Sequence, residues 1–330
     1  MASGLWTLGD TLRCADRPRM ATAGLLMALF LATSPASAAD GGADVVVTIK
    51  PIHSLVARVM EGVGEPLLLV DGNASPHNFA LRPSQVRASG KASVFIRVSE
   101  RLEPFTGKLV RALPESVEIV TLIDAPGMHL LRQRHNGTFV AHADADGHDD
   151  GATGDTEAAD SHIWLDPQNA RAIGRYVAEV LSARFPEHAA QFRSNAERLD
   201  ADIAALTSEL AATTQPLQQK PFVVFHDAYQ YFDRRFDLDA AGSITVSPDV
   251  QPSAKRLIEL RRKIRELKAV CVFAEPMFQL NLVAVLTEDT QARAGTLDPE
   301  GLGLQPGPQL YFVLMRNLAA ALKACLAPSS

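Results

Sequence analysis

The sequence predicts an α/β protein with two parallel-sheet lobes and a long helix between them. Short apolar runs that end in turn-forming residues recur in both halves of the chain, as buried parallel strands do. Segments with helical spacing separate these runs. The chain has 330 residues, 47% of them hydrophobic and 21% charged, which suits a globular protein larger than most single domains.

Residues 1–38 are predicted to be a signal peptide that is cleaved on export. Three arginines precede an apolar run over residues 21–32, and Ala36-Ser37-Ala38 supplies small side chains for cleavage. The apolar run is shorter than the roughly 20 residues that cross a bilayer, and no later segment reaches that length. We therefore expect an exported, periplasmic protein.

The N-terminal lobe is assigned to residues 39–166. Its apolar runs predict parallel strands separated by helical segments, at residues 45–49, 67–70, 94–96 and 119–123. Residues 128–160 interrupt this pattern with acidic side chains, scattered histidines, Gly and Ala. Most of that segment cannot bury enough apolar surface to fold alone, so we predict a loop.

A helical connection is assigned to residues 167–214. Asp166 is predicted to cap a helix that begins at Pro167. A longer helix is predicted over residues 186–214, because its apolar residues recur at spacings of three and four. At 1.5 Å per residue it would be roughly 40 Å long. We interpret it as a linker between two lobes; a core helix of one large domain is the alternative.

The C-terminal lobe is assigned to residues 215–330, where the α/β rhythm repeats. Strands are predicted at residues 222–225, 244–246 and 269–273, and helices at 253–267 and 310–326. The predicted exported chain keeps two cysteines, Cys271 and Cys325. An even pair in an oxidising compartment is typical of a disulfide; two buried thiols are the alternative.

Three histidines beside short apolar runs are candidates for one metal site. His77 and His226 each follow a predicted strand, and His162 lies at the junction of the two halves. Because open α/β sheets bind ligands beyond the carboxyl ends of their strands, these side chains are expected to meet in a cleft between the lobes. Three neutral imidazoles suit tetrahedral Zn²⁺. Taken singly, each histidine also fits a structural role.

The motifs around these histidines are similar to those of the ZnuA family, the zinc-binding periplasmic proteins of high-affinity ABC uptake systems. The similar segments are Pro76-His77-Asn78-Phe79-Ala80-Leu81-Arg82-Pro83-Ser84, His162-Ile163-Trp164-Leu165-Asp166-Pro167 and Phe225-His226-Asp227-Ala228-Tyr229-Gln230-Tyr231-Phe232. The segment Thr296-Leu297-Asp298-Pro299 and the cysteine pair also resemble the family. This resemblance extends over nearly all of the chain after the predicted signal.

The resemblance implies two α/β lobes joined by one long backbone helix, with zinc held between them by His77, His162 and His226. It also implies a membrane permease and an ATPase as partners of a protein expected to be a monomer. Asp298 matches the position that closes the site in manganese-binding relatives, so it is a candidate fourth ligand, directly or through water. Those relatives carry a carboxylate where this chain has His226, which favours zinc here.

The acidic loop and the chain after the strand of Cys271 contain further candidate residues. His142 and His148 in the acidic loop are candidates for an accessory metal site, and a loop without metal is the alternative. Glu275, beyond the predicted strand that holds Cys271, is expected to be structural.

Other functions remain to be weighed against uptake. A three-histidine zinc site with an open position is also the layout of a hydrolase or hydratase. The sequence contains no His-Glu-x-x-His stretch, nucleophile elbow or phosphate loop. A manganese-binding member or an exported metal-binding adhesin would share the fold. The net charge of −6, without a basic cluster in the sequence, argues against a nucleic-acid partner.

Overall fold

Two four-stranded parallel sheets form the framework of the protein. The computed structural model describes residues 44–72, 74–134, 159–245, 252–276 and 280–327. The strands are β1 (Val45–Val47), β2 (Leu67–Leu68), β3 (Val94–Arg97), β4 (Glu118–Thr121), β5 (Phe222–His226), β6 (Ala240–Thr245), β7 (Cys271–Ala274) and β8 (Arg293–Thr296). The first sheet has the order β2-β1-β3-β4 and the second β6-β5-β7-β8, with parallel pairing throughout.

Helices connect and cover the strands, as parallel pairing requires. They are α1 (Lys50–Val59), α2 (Pro83–Ser89), α3 (Phe105–Ala112), α4 (Pro167–Arg184), α5 (Ala189–Thr214), α6 (Gln230–Phe236), α7 (Ala254–Glu266), α8 (Leu280–Thr287) and α9 (Leu310–Leu326). Short 3₁₀ turns lie at Pro76–Asn78, Leu122–Asp124, Ile163–Leu165, Pro186–His188 and Gln215–Leu217.

Successive side chains of the buried strands point to opposite faces of each sheet and belong to hydrophobic clusters there. In β1, Val45 and Val47 enter the largest cluster, whereas Val46 enters a smaller one on the opposite face. In β5, Phe222 enters the same large cluster as Val45, and Val223 enters a third. One continuous core therefore extends from the first sheet to the second.

The long helix α5 contributes its buried face to this shared core. It has 26 residues, which corresponds to about 39 Å. Its face packs against α1, α4 and α9. The buried residues keep the predicted spacing of three and four: Phe192, Asn195, Ala196, Leu199, Ile203, Leu206, Leu210 and Thr214. The helix begins three residues later than predicted, because Pro186–His188 forms a 3₁₀ turn.

Most predicted elements are present, and two local predictions are confirmed. The Asp166 side chain accepts a hydrogen bond from the backbone N–H of Gln168 at 2.9 Å and so caps α4. Cys271 and Cys325 form a disulfide between β7 and α9, with an S–S distance of 2.08 Å. No helix in the described part of the chain is long and apolar enough to cross a bilayer.

The edge strand β8 was not predicted. Its residues, Arg-Ala-Gly-Thr, contain no apolar run, so periodicity does not reveal them. Gly295 lies against Phe273 of the neighbouring strand β7. A Cβ atom on Gly295 would lie 2.6 Å from the ring of Phe273, so only glycine fits this contact.

Candidate metal centre

His77 is carried by a short turn of the N-terminal lobe. It lies in the 3₁₀ turn Pro76–Asn78, whose first residues follow a cluster of turn formers. The Ser75 hydroxyl accepts a hydrogen bond from the backbone N–H of His77 at 3.3 Å. The side chain is half-buried, and its Nε2 atom is buried without a hydrogen-bond partner in the described part of the chain.

His162 lies immediately before the 3₁₀ turn Ile163–Leu165 and is held by an aspartate two residues earlier. Asp160 Oδ1 accepts hydrogen bonds from the backbone N–H of His162 at 3.0 Å and from its Nδ1 at 2.7 Å. The ring of Trp164 lies 5.4 Å from the imidazole, centroid to centroid. The indole N–H donates to the carbonyl of Pro299 at 2.8 Å, which ties this turn to the C-terminal lobe.

His226 is the last residue of β5 and is buried. Its Nδ1 lies 2.7 and 2.9 Å from the two carboxylate oxygens of Glu275. Glu275 directly follows β7, which pairs with β5. The two side chains meet because the carboxyl ends of neighbouring parallel strands lie at the same edge of the sheet.

The three imidazoles converge at one point between the lobes. One ligand atom of each of His77, His162 and His226 lies within 4.8 Å of those of the other two. The Nε2 atoms of His162 and His226 are 3.3 Å apart. Two nitrogens bound to one tetrahedral zinc at 2.0–2.1 Å would lie about 3.3 Å apart. The spacing of this pair therefore fits a single zinc ion.

Hydrogen bonding leaves the converging nitrogens free to donate their lone pairs. An ionised carboxylate only accepts hydrogen bonds, so Asp160 and Glu275 require the proton of each neutral ring on Nδ1. With the proton on Nδ1, the Nε2 atoms of His162 and His226, which lie 3.3 Å apart, are the nitrogens available to a metal ion. For His77, burial and the neighbouring rings of His162 and His226 lower the pKa to about 2, so this ring is neutral.

The charge state of His226 is set by opposing effects. Burial lowers the pKa of His226, but the carboxylates of Glu275, Asp227 and Asp160 outweigh it and leave the pKa above its ordinary value. The carboxylates thus favour positive charge at the centre. A divalent cation would supply that charge in place of a proton.

Asp298 makes other contacts. Its carboxylate accepts hydrogen bonds from the backbone N–H groups of Glu300, Gly301 and Leu302 at 3.1, 2.8 and 2.7 Å. Among the described residues, the group of converging ligand atoms comprises the three histidines and does not include Asp298. Its role as fourth ligand stays a prediction. The candidate accessory ligands His142 and His148 lie outside the described residues.

Sequence reasoning missed the two carboxylates that hold the rings. Glu275 was expected to be structural, yet it contacts the imidazole of His226; Asp160 was counted only as part of the acidic loop. Two signals were available. Asp160 precedes His162 by two residues, within reach of its backbone N–H. Glu275 directly follows the strand β7, and His226 is the last residue of the neighbouring strand β5.

Comparison with known proteins agrees with this geometry. Residues 45–325 match the family model described as ZnuA, zinc-uptake complex component A, periplasmic. The high-affinity zinc uptake system protein ZnuA of Brucella abortus (strain 2308) is 43% identical over 326 residues, which cover 92% of this chain and 97% of that protein.

Solved structures share the fold. A crystal structure of ZnuA superposes with a TM-score of 0.71 at 23% identity, covering 87% of this chain and all of that one (100%). The laminin-binding protein Lbp of Streptococcus pyogenes superposes with a TM-score of 0.68 at 22% identity, covering 86% and 99% of the two chains. Both support two α/β lobes joined by a long helix.

Proposed function

Because this chain belongs to the ZnuA family of periplasmic zinc-uptake components, we propose that it captures Zn²⁺ and delivers it to the membrane permease of a zinc ABC importer. It is a solute-binding protein and not an enzyme. Zinc is therefore its cargo. The observation that carries the proposal is the convergence of three imidazoles, two of which, His162 and His226, have an Nε2 spacing that fits zinc.

We assign His77, His162 and His226 as the zinc ligands. Two features support the assignment. Nε2 of His77 is buried and has no hydrogen-bond partner among the described residues, and the carboxylate contacts leave Nε2 of the other two rings available. Asp298, directly or through water, is proposed to complete the coordination. An all-imidazole set favours zinc over manganese, which prefers oxygen ligands.

The partners are the permease and the ATPase of the importer, with which proteins of this family work. We propose that the protein acts as a monomer, without nucleic acid, and reaches the periplasm through cleavage of residues 1–38. The proposed division of the exported chain is an N-terminal lobe (39–166), a helical connection (167–214) and a C-terminal lobe (215–330). His142 and His148 are proposed as a weak accessory site.

The adhesin alternative has one supporting observation, the fold shared with a laminin-binding protein. That likeness, at 22% identity, concerns the fold alone. The 43% identity to a zinc-uptake protein over 92% of the chain favours uptake.

Metal analysis of the exported protein tests the proposal. We expect one zinc per chain, and loss of zinc when His77, His162 or His226 is replaced singly with Ala. His129→Ala is a matched control, because His129 is a partly exposed histidine that lies outside the converging group. Full zinc content in all three single variants would refute the ligand assignment. Normal growth under zinc limitation of cells without this protein or any substitute importer would refute the uptake function.

A further inference from the structure

Two of the three histidines are held by the same arrangement of hydrogen bonds. One oxygen of Asp160 accepts from both the backbone N–H and the Nδ1 of His162, at 3.0 and 2.7 Å. One oxygen of Glu275 does the same for His226, at 3.3 and 2.7 Å. The two carboxylates come from unrelated places, because Asp160 lies two residues before its histidine and Glu275 lies 49 residues after.

The backbone of Asp160 and the carboxylate of Glu275 are themselves held by further hydrogen bonds. The backbone of Asp160 is bonded on both sides, its N–H to the carbonyl of Leu131 at 2.8 Å and its carbonyl to the Tyr231 hydroxyl at 2.8 Å. Glu275 also accepts a hydrogen bond from the hydroxyl of Tyr229 at 3.3 Å, and its side chain is only 4% exposed. Neither imidazole can rotate without breaking a buried, charge-assisted hydrogen bond.

His77 lacks this support. At the position two residues before it, where Asp160 stands relative to His162, the chain has Ser75. The Ser75 hydroxyl accepts from the backbone N–H of His77 at 3.3 Å. No hydrogen bond or ion pair to the His77 ring is present within the described residues. Its rotamer must therefore be ordered when the metal arrives, whereas those of His162 and His226 are already fixed.

We propose that Asp160 and Glu275 are positioning residues that hold His162 and His226 as a preformed pair, which receives the zinc ion first. His77 joins last and leaves first, so this ligand controls release. The proposal rests on the proposed zinc-binding function. It predicts an asymmetric site in which the pair sets the association rate and His77 sets the dissociation rate.

Exchanging the two supports tests the asymmetry. Ser75→Asp places a carboxylate behind His77, where it also remains a suitable cap for the 3₁₀ turn. We expect zinc dissociation, measured by stopped-flow transfer to a chelating dye, to slow by about tenfold with association unchanged. Asp160→Ser and Glu275→Gln are expected to weaken zinc binding by about 10–100-fold. Unchanged dissociation in Ser75→Asp together with unchanged affinity in Glu275→Gln would overturn the proposal.

Ligand variants give a second, independent measurement. His77→Ala should lose affinity mainly through faster dissociation, whereas His226→Ala should also lose association rate. Equal loss of association rate in both would contradict the order of engagement. In the metal-free protein at a pH above the pKa of His226, where the ring is neutral, ¹⁵N spectra of the histidine rings should show His226 protonated at Nδ1 in the parent and a mixture of tautomers in Glu275→Gln. A merely structural role for Glu275 would leave the tautomer unchanged.

Glu103→Gln is the matched control, since Glu103 is another buried carboxylate that follows a central strand, six residues beyond the end of β3, but contacts a threonine. It should leave zinc kinetics unchanged. If the parent and this control bind no zinc, the proposed function fails. If both bind zinc and Glu275→Gln binds equally well, only the positioning role fails. Should Glu275→Gln not fold, the gain expected from Ser75→Asp still decides the outcome.

Discussion

The two lobes use one strand order for two different purposes. In each sheet, the strand that comes first in the chain is central and pairs with the strand that comes third. The orders are β2-β1-β3-β4 and β6-β5-β7-β8. In the N-terminal lobe, Thr48 directly after β1 donates a hydrogen bond to Glu103, which follows β3. In the C-terminal lobe, His226 at the end of β5 contacts Glu275, which follows β7.

This comparison separates what the topology supplies from what the side chains decide. In both lobes, a carboxylate from the chain that follows the neighbouring parallel strand lies next to the end of the first strand. Where the partner is a threonine, the carboxylate has a structural role. Glu103 also accepts hydrogen bonds from the backbone N–H groups of Val98 and Ser99 at 2.9 and 3.0 Å. Burial raises the pKa of Glu103 to about 7. Where the partner is a histidine, the same arrangement orients the imidazole of a proposed metal ligand.

The largest expected effect concerns the disulfide, which only the C-terminal lobe has among the described residues. Cys271 and Cys325 are separated by 54 residues, and closing a loop of that length stabilises a fold by about 4 kcal/mol on the chain-entropy model. We expect the double variant Cys271→Ala/Cys325→Ala to lose about that much unfolding free energy in denaturant titration. Hydrogen exchange should rise in β7 and α9 more than in β1 and β3. An equal rise in both lobes would show that the shared core makes them unfold together.

The next effect contrasts the paired positions directly. Zinc binding to a structural site is worth about 10–16 kcal/mol, or about 3 kcal/mol for each of four ligands. His226→Ala should therefore weaken zinc binding by about a hundredfold in calorimetric titration. Thr48→Val should leave zinc affinity unchanged and lower the unfolding free energy by about 1–3 kcal/mol, because Glu103 loses a donor. A loss of zinc affinity in Thr48→Val would break the comparison.

Zinc affinity should depend on pH through the ligand of the C-terminal lobe, His226. A protonated imidazole cannot bind metal, and the pKa of His226 lies above its ordinary value. Affinity should therefore fall as the pH is lowered from 7.5 to 5.0, by about tenfold per pH unit for each proton displaced. His77, with a pKa of about 2, is neutral over this range and contributes no dependence. Equal affinity at both pH values would contradict an all-imidazole ligand set.

The smallest expected effect is that of the acidic loop. Deleting residues 142–158 should change zinc affinity far less than His226→Ala, because the converging ligands lie in the two lobes. Titration of both variants under the same buffer conditions measures the difference. The opposite ranking would identify the loop as the main zinc site and refute the assignment of that site to the cleft.

Much of the fold follows from local patterns. Apolar runs predict β1, β3, β5 and β7, because buried parallel strands are apolar on both faces. Helical spacing and capping predict α4, α5 and α9. The apolar pattern does not predict β8, and it predicts a strand over residues 67–70 where the observed β2 is only Leu67–Leu68. Both are edge strands, which bury less surface and need fewer apolar residues.

By itself, the sequence determined the α/β class, the cysteine pair and the three histidines as candidate ligands. Each strand, cysteine and histidine is recognised from its own residue type and its immediate neighbours in the chain. The tertiary structure alone decided which carboxylate supports which ring. Glu275 reaches His226 across 49 residues only because β7 pairs with β5. The turn of His77 ends no central strand, and no carboxylate among the described residues holds its ring. Hydrogen bonds between strand ends depend on sheet order, and no local pattern in the chain encodes that order.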